Sequence, residues 1–273
     1  MKVRKILSIA IVSVLLAACS SSSGGGNAIR PSVDQLPEQE RKIVIEEKTI
    51  DLLEENANSD YSRQTTLDGK TDTYNFSDLA NGRTDLRISR SYKDGQETTN
   101  YSGTLLVYQQ PYSVVTGVTW TTGSGSRVED DYLNVFYGDI TVGLATPTSA
   151  VTELRTQNAI FDYTGVAFDG GNEQGILNYT VNFGTQEGQG SITGFSHTGR
   201  IDLQAEQLRQ DIDESWFING DAYIEKAPSD KQQARYLLSF FGPNAEEVAG
   251  EVYELMDGGF LGYSGIIFAG ERD

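Results

Sequence analysis

The chain has 273 residues and little of what usually carries chemistry or covalent bracing: one cysteine, one histidine, two methionines, two tryptophans and six prolines. A single cysteine excludes an intramolecular disulfide, so the fold must stand on its core even in an oxidising compartment. One histidine leaves no Cys/His metal spacing and gives a hydrolytic triad no choice of base. Positive charge is scarce, with 21 Lys+Arg against 39 Asp+Glu and a net charge of −18. Such a field disfavours nucleic acid and anionic membrane surfaces as partners. The one long apolar run, Ile6 to Leu16, is far short of the ~20 residues that a spanning helix needs.

That run belongs to a secretory signal. Lys2, Arg4 and Lys5 form its basic start and Ala17-Ala18 its small-residue cleavage site, directly before Cys19. A cysteine placed at the cut resembles a bacterial lipoprotein lipobox, as against an ordinary signal or an anchor followed by a chance cysteine. We therefore expect residues 1–18 to be a signal peptide and Cys19 to be lipidated and membrane-anchored. Processing leaves 18 Lys+Arg against 39 Asp+Glu, a net charge of about −21. Residues 19–39 follow as a tether, opened by the Ser/Gly tract Ser20 to Gly26.

Glycine (29), tyrosine (14) and phenylalanine (11) point to a turn-rich β protein. The stretch Glu38 to Asn58 fits a short helix and an edge strand equally poorly. Beyond Tyr61 the chain alternates. Tyr101, Gly103, Leu105 and Val107 fall on one face, as do Val114, Thr116, Val118 and Trp120, and Asp94-Gly95 signals a hairpin. Asp139 to Ser149 reads as a domain junction. Past it come eight strand-like runs, at about 160–168, 175–183, 188–195, 199–205, 216–225, 234–241, 248–256 and 262–269. Eight short antiparallel strands suit a closed barrel filled by side chains; alternation by itself equally fits a sandwich. The expectation is an all-β protein with an N-terminal curved antiparallel domain (40–150) and a C-terminal eight-stranded antiparallel barrel (156–273).

Candidate chemistry is thin. His197 sits in Ser196-His197-Thr198, a turn context, although haem ligation by it or by a tyrosine is conceivable. Gly262-Tyr263-Ser264-Gly265 lacks the spacing of a nucleophile elbow. Glu129-Asp130-Asp131 lacks the alternating ligands and turn glycine of a calcium loop. We expect no enzyme, no metal site and no cofactor. Trp120, Trp216, Tyr108, Tyr112, Tyr132 and Tyr137 are candidate partner anchors, with core packing as their other use.

Several strings carry a resemblance. Phe240-Phe241-Gly242-Pro243-Asn244-Ala245-Glu246-Glu247-Val248-Ala249-Gly250-Glu251 and Gly265-Ile266-Ile267-Phe268-Ala269-Gly270 resemble the closing signature of surface lipoproteins with a transferrin-binding-protein-B-type barrel. Tyr163 to Phe168 and Leu177 to Phe183 are similar to its first two strands. Upstream, Asp94-Gly95-Gln96, Ser102-Gly103, Val107-Tyr108 with Gln110, and Gly138-Asp139-Ile140 look like the N-terminal half of the factor H binding protein family. The resemblance supports a barrel over a sandwich. It implies an outer-membrane lipoprotein facing the cell exterior, which binds a host serum protein without catalysis. Where that family carries acidic side chains late in the barrel, ungapped register places Gln232 and Tyr253 here, with Glu251 and Glu254 nearby. Those four are the candidate partner-binding residues.

Two partner readings follow: a complement regulator such as factor H, or, alternatively, iron acquisition through haemoglobin, haem or transferrin. A third reading, a small-molecule carrier, needs a hollow barrel. Large side chains such as Phe161, Tyr179, Phe183 and Phe240 argue for a filled one.

Overall fold

Alternation in the first half of the chain becomes one strongly bent antiparallel sheet. A computed structural model describes residues 32–55, 61–125, 128–129, 133–196, 198–227, 230–255 and 261–273. Cys19, the expected signal peptide and most of the expected tether lie outside the described residues, as do His197, Asp130, Asp131 and Tyr132. The ambiguous stretch after Glu38 resolves into both of its readings. Helix α1 (Glu38–Glu47) comes first, then short strands β1 (Thr49–Asp51) and β2 (Leu53–Glu55). Val44 anchors the helix, packing with Val33 and Leu36.

Strand β3 (Tyr61–Leu67) follows, then β4 (Thr73–Asn75), which pairs with β1. Three long strands, β5 (Gly82–Asp94), β6 (Glu97–Gln109) and β7 (Ser113–Gly125), lead to β8 (Phe136–Gly143). The sheet order is β2-β3-β5-β6-β7-β8. The expected hairpin is present: Asp94 pairs with Glu97 across Gly95-Gln96, and Gly95 supplies the positive φ of 63°. A register shift at Ser102/Gly103 leaves Thr121 as an extra residue on β7, a bulge that bends that strand. Gly103 is needed there, because a Cβ would stand 2.0 Å from the Thr119 carbonyl oxygen.

The expected junction is shorter than the sequence indicates. Asp139 to Gly143 completes β8, and a helix absent from the sequence reading, α2 (Thr148–Thr156), begins directly after Pro147. The residues between are stitched to both halves. Leu144 N–H donates to the Tyr112 carbonyl (2.9 Å), Gly242 N–H to that of Leu144 (2.8 Å), and Thr146 N–H to that of Phe240 (3.0 Å).

The eight predicted runs are strands β9 (Ile160–Phe168), β10 (Gln174–Asn182), β11 (Glu187–Thr193), β12 (Ile201–Gln210), β13 (Trp216–Ala227), β14 (Asp230–Phe241), β15 (Glu247–Leu255) and β16 (Leu261–Arg272). Each pairs with its neighbours and β16 returns to β9, closing the barrel. Strands β12 and β14 outrun their predicted ends because backbone pairing resumes after an irregularity at Leu208 to Gln210 and extends over Asp230 to Gln233.

The interior is filled. Tyr163, Tyr179, Tyr236, Phe183, Phe240 and Phe268 are all at most 2% exposed. The buried hydroxyls are satisfied: Tyr163 donates to the Ala245 carbonyl (2.9 Å), Tyr236 to that of Gln204 (2.8 Å), and Tyr179 and Tyr236 meet each other at 2.9 Å. Small residues stand opposite these rings; a Cβ on Gly220 would fall 2.5 Å from Tyr236 Cε1. One end is plugged by α2, whose Val151 and Leu154 join the barrel core.

The two halves meet over an apolar seam. Leu106, Val115 and Phe136 of the sheet pack on Phe168, Phe241, Ala249, Ile267 and Ala269 of the barrel. Those barrel residues belong to the outward-facing rows, so an apolar side chain on the outside of the barrel here marks a docked domain.

Candidate functional site

The four candidate residues lie on β14 and β15, and register decides which of them share a face. Along β14, Ala234, Tyr236, Leu238 and Phe240 point inward, all at most 1% exposed. Gln232 belongs to that inward row at the strand's start and pairs with Ile224, itself a core residue. Glu254 pairs with Ala234, so its register position is also in the inward row. Glu251 and Tyr253 pair with Leu237 and Arg235 and occupy the outward row. The structure thus brings Glu251 and Tyr253 together on the outer face and separates Gln232 and Glu254 from them, because one residue along a strand changes face.

On that outer face two cross-strand rows run through β13, β14 and β15: Asp221–Arg235–Tyr253 and Asn219–Leu237–Glu251. Asn219 Oδ1 accepts from Arg235 Nη2 (2.7 Å), Arg235 Nε (3.2 Å) and the Tyr253 hydroxyl (3.3 Å). Arg235 Nη2 also donates to the Asn219 carbonyl (3.2 Å), and Nη1 stands 3.6 Å from Asp221 Oδ1. These contacts tie the guanidinium to Asn219 and Asp221, and Tyr253 beside it is 8% exposed. The patch is a pre-organised hydrogen-bonding surface of mixed charge, suited to recognition. Asn219, Asp221 and Arg235 were not singled out from the sequence; their signal is a shared row across three strands, visible only once register is known.

The aromatic candidates divide by role. Trp216 is buried beneath α2, its indole N–H donating to Thr148 Oγ1 at 3.3 Å. Tyr108 lies at the seam, its ring centroid 5.4 Å from that of Phe168, and Tyr112 packs there between both halves. These three are packing residues. Trp120 and Tyr137 stand on the opposite face of the N-terminal sheet. Glu129 donates its backbone N–H to the Tyr101 hydroxyl at 3.3 Å.

At the other end of β15 the seam encloses two ionisable groups. Glu247, 2% exposed, accepts from the Tyr112 N–H (2.9 and 3.1 Å to its two oxygens) and the Ser113 hydroxyl (2.7 Å). Lys48, fully buried, donates through Nζ to the carbonyls of Gln110 and Pro111 (2.9 Å for the latter). Burial raises the Glu247 pKa, opposed by the Ser113 and Tyr112 hydrogen bonds and by Lys48; burial lowers that of Lys48, opposed by Glu247. Both groups clamp one turn, Gln110 to Ser113, so helix α1, the sheet and the barrel are tied at a single point.

Residues 154–252 match the family model described as Factor H binding protein, C-terminal. The match ends at Val252, so it includes Glu251 and stops short of Tyr253 and Glu254. Among solved structures, the chain is similar to isotype 1 transferrin binding protein B of serogroup B Neisseria meningitidis. Identity there is 12%, coverage 78% of this chain and 43% of that one, and the TM-score 0.41. It is also similar to the transferrin binding protein B vaccine antigen of Haemophilus parasuis Hp5. A double mutant of that antigen gives 11% identity, 78% and 44% coverage and a TM-score of 0.39. A Trp-to-Ala single mutant gives 11%, 78% and 45%, and 0.40. The chain spans less than half the length of these solved relatives.

Proposed function

We propose that this chain, whose residues 154–252 match the family model described as Factor H binding protein, C-terminal, is a surface lipoprotein that captures a soluble host protein, a complement regulator of the factor H kind. The family match over the barrel carries this reading. In it, the protein is held on the outer membrane by acylated Cys19 and faces the cell exterior. The rest of the molecule supports an interface over a reaction or a pocket. The barrel interior is occupied by its own aromatic side chains. The outer patch around Arg235, Glu251 and Tyr253 is held in place by hydrogen bonds before any partner arrives, which lowers the ordering cost of binding. The strongly negative charge favours a partner with a basic face, so affinity should fall as salt rises.

The test is capture from serum. The chain from residue 20 onward is immobilised through an N-terminal tag, because the C-terminus is knitted into the barrel by Asp273 N–H to the Asp162 carbonyl. Sera of several hosts are passed over it and retained proteins are identified by mass spectrometry. We expect a factor H-type regulator to be retained, and Glu251→Arg to weaken its binding about tenfold or more with the circular dichroism unchanged. Retention of haemoglobin or transferrin in its place would move the assignment to iron acquisition. No retained protein from any serum would remove the host-capture reading.

A further inference from the structure

A charge-free strip runs along the outside of β10, in a chain with 39 Asp+Glu and 21 Lys+Arg. Leu177, Tyr179 and Val181 point into the barrel, which leaves Gln174, Ile176, Asn178, Thr180 and Asn182 as the outward row. Strand β11 continues the strip with Gln189, Ser191 and Thr193. Pairing sets Asn178 beside Ser191, Ser191 beside Asp202, and Thr180 beside Gln189. A groove of about 430 Å³ crosses these rows, within the roughly 300–1,000 Å³ range of ligand sites.

Strand β12 shapes the groove. Gly190 pairs with Leu203 and Gly188 with Glu206, so β12 spends one residue more than β11 over this stretch and bulges. A second irregularity interrupts its pairing with β13 between Leu203 and Leu208. From inside the barrel, Tyr236 donates its hydroxyl to the Gln204 carbonyl at 2.8 Å and pins the bulge. Bulges re-aim side chains, and this one brings Gln204 and Ala205 into the lining together with Gln189.

Hydrogen-bonding capacity in the groove is unspent. Ser191 is only 6% exposed, yet its hydroxyl has no partner among the described residues. The side-chain amides of Asn178, Gln189 and Gln204 are exposed and likewise unpartnered among the described residues. Charge, by contrast, is cancelled. Asp202 accepts from Arg200 Nε, and Lys231 Nζ stands 3.8 Å from its other carboxylate oxygen.

That composition separates the ligand classes. Protein interfaces draw their energy from aromatic and other large anchors, and no aromatic side chain lines this groove. Polyanions meet the chain's net charge of −18. A neutral carbohydrate fits. Its hydroxyls donate and accept at once, and the three amides and Ser191 present the same dual capacity.

We propose that this groove binds a neutral oligosaccharide, whose hydroxyl groups bond to Ser191 and to the amides of Asn178, Gln189 and Gln204. The site lies on β10 to β12 and the partner patch on β13 to β15, so it stands whichever protein that patch captures.

A site of hydrogen bonds without a stacking ring holds single chains weakly, so multivalent display is the sensitive assay. The chain from residue 20 onward is applied to an array of neutral, sialylated and sulfated glycans. The best neutral chain is then titrated by calorimetry, free in solution and on a desialylated serum glycoprotein before and after glycosidase treatment. We expect neutral chains to be retained in preference to acidic forms of the same core. Gln189→Ala with Gln204→Ala should weaken binding about tenfold, as should Ser191→Ala. Gln96→Ala, at the exposed β5–β6 hairpin, should leave it unchanged. Because Gln189 and Gln204 are exposed, their loss tests the site even if Ser191→Ala lowers the melting temperature. Binding of the free chain assigns a soluble sugar; binding only to the intact glycoprotein, lost after glycosidase, assigns a protein-borne chain. Retention of the glycoprotein unchanged by glycosidase would make the groove a protein contact and overturn the site. So would an array with no neutral glycan retained, a preference for the acidic forms, or binding unmoved by the three substitutions together.

Discussion

Glu246 and Glu247 are adjacent and chemically identical, yet the structure gives them opposite fates. Glu246 accepts from the Asn244 N–H and side-chain amide on the surface, while Glu247 is sealed in the seam with Lys48 nearby. Burial raises the Glu247 pKa from 4.5 to about 8, so the folded state holds a proton that the unfolded state releases. Its contribution is therefore fully present below pH 4.5 and is lost as pH rises towards 8. Burial lowers the Lys48 pKa from 10.5 to about 8, which gives the opposite sign: its contribution is present above pH 10.5 and lost as pH falls towards 8. The two groups act on each other, so they titrate as a pair, and removing the carboxyl isolates its share. In thermal melts from pH 5 to 8 the parent chain should lose melting temperature, and Glu247→Gln should flatten that limb. Parallel curves for the two proteins would show that Glu247 titrates normally.

At the scale of elements, α2 shows how a helix can belong to a barrel. It carries Thr148, Thr152 and Thr156, poor helix formers, and its apolar spacing is limited to Val151 and Leu154. Tertiary contacts hold it: the two apolar side chains close the end of the barrel core, and Thr148 Oγ1 accepts from Gln210 Nε2 (2.6 Å) and Trp216 Nε1 (3.3 Å). A fragment beginning at residue 156 leaves that end open to water. We expect 147–273 to fold cooperatively and to melt at a higher temperature than 156–273. Leu154→Ala in the longer fragment should cost about 2–3 kcal/mol, the lower part of the range for a leucine near a core's edge. Equal melting temperatures for the two fragments would place α2 outside the domain.

At the scale of the molecule, sheet and barrel share a seam built from Phe136, Phe168, Phe241 and Ile267, and the Gln110 to Ser113 turn is clamped from both sides. Surface from both halves can then meet one partner in a single geometry. The amino-terminal end supplies the attachment in the proposed function. Cys19→Ala should release the protein from the outer-membrane fraction, as followed by immunoblot after high-salt washing. Continued fractionation with the membrane would sink the lipid-anchor assignment.

The sequence by itself determined the strands of the second half, while their closure into a barrel and not a sandwich was indicated by the family resemblance and not by alternation. Those eight strands were legible because a period of two, interrupted by glycine and aspartate turns, is a local property that needs no knowledge of the partner strand. The Asp94-Gly95 hairpin was legible for the same reason, as was the filled interior, since large aromatics recur at the inward positions. Three features were decided only by tertiary structure. Register between β13, β14 and β15 grouped Asn219, Asp221 and Arg235 with Glu251 and Tyr253 and set Gln232 and Glu254 on the other row. Docking of the sheet turned Ala249, Ile267 and Ala269 from surface positions into a second core. Burial made Lys48 and Arg90 structural, their partners lying 63 and 49 residues away in the chain. Local alternation reports which face a residue takes, but what covers that face depends on contacts between distant segments, and no local pattern encodes those.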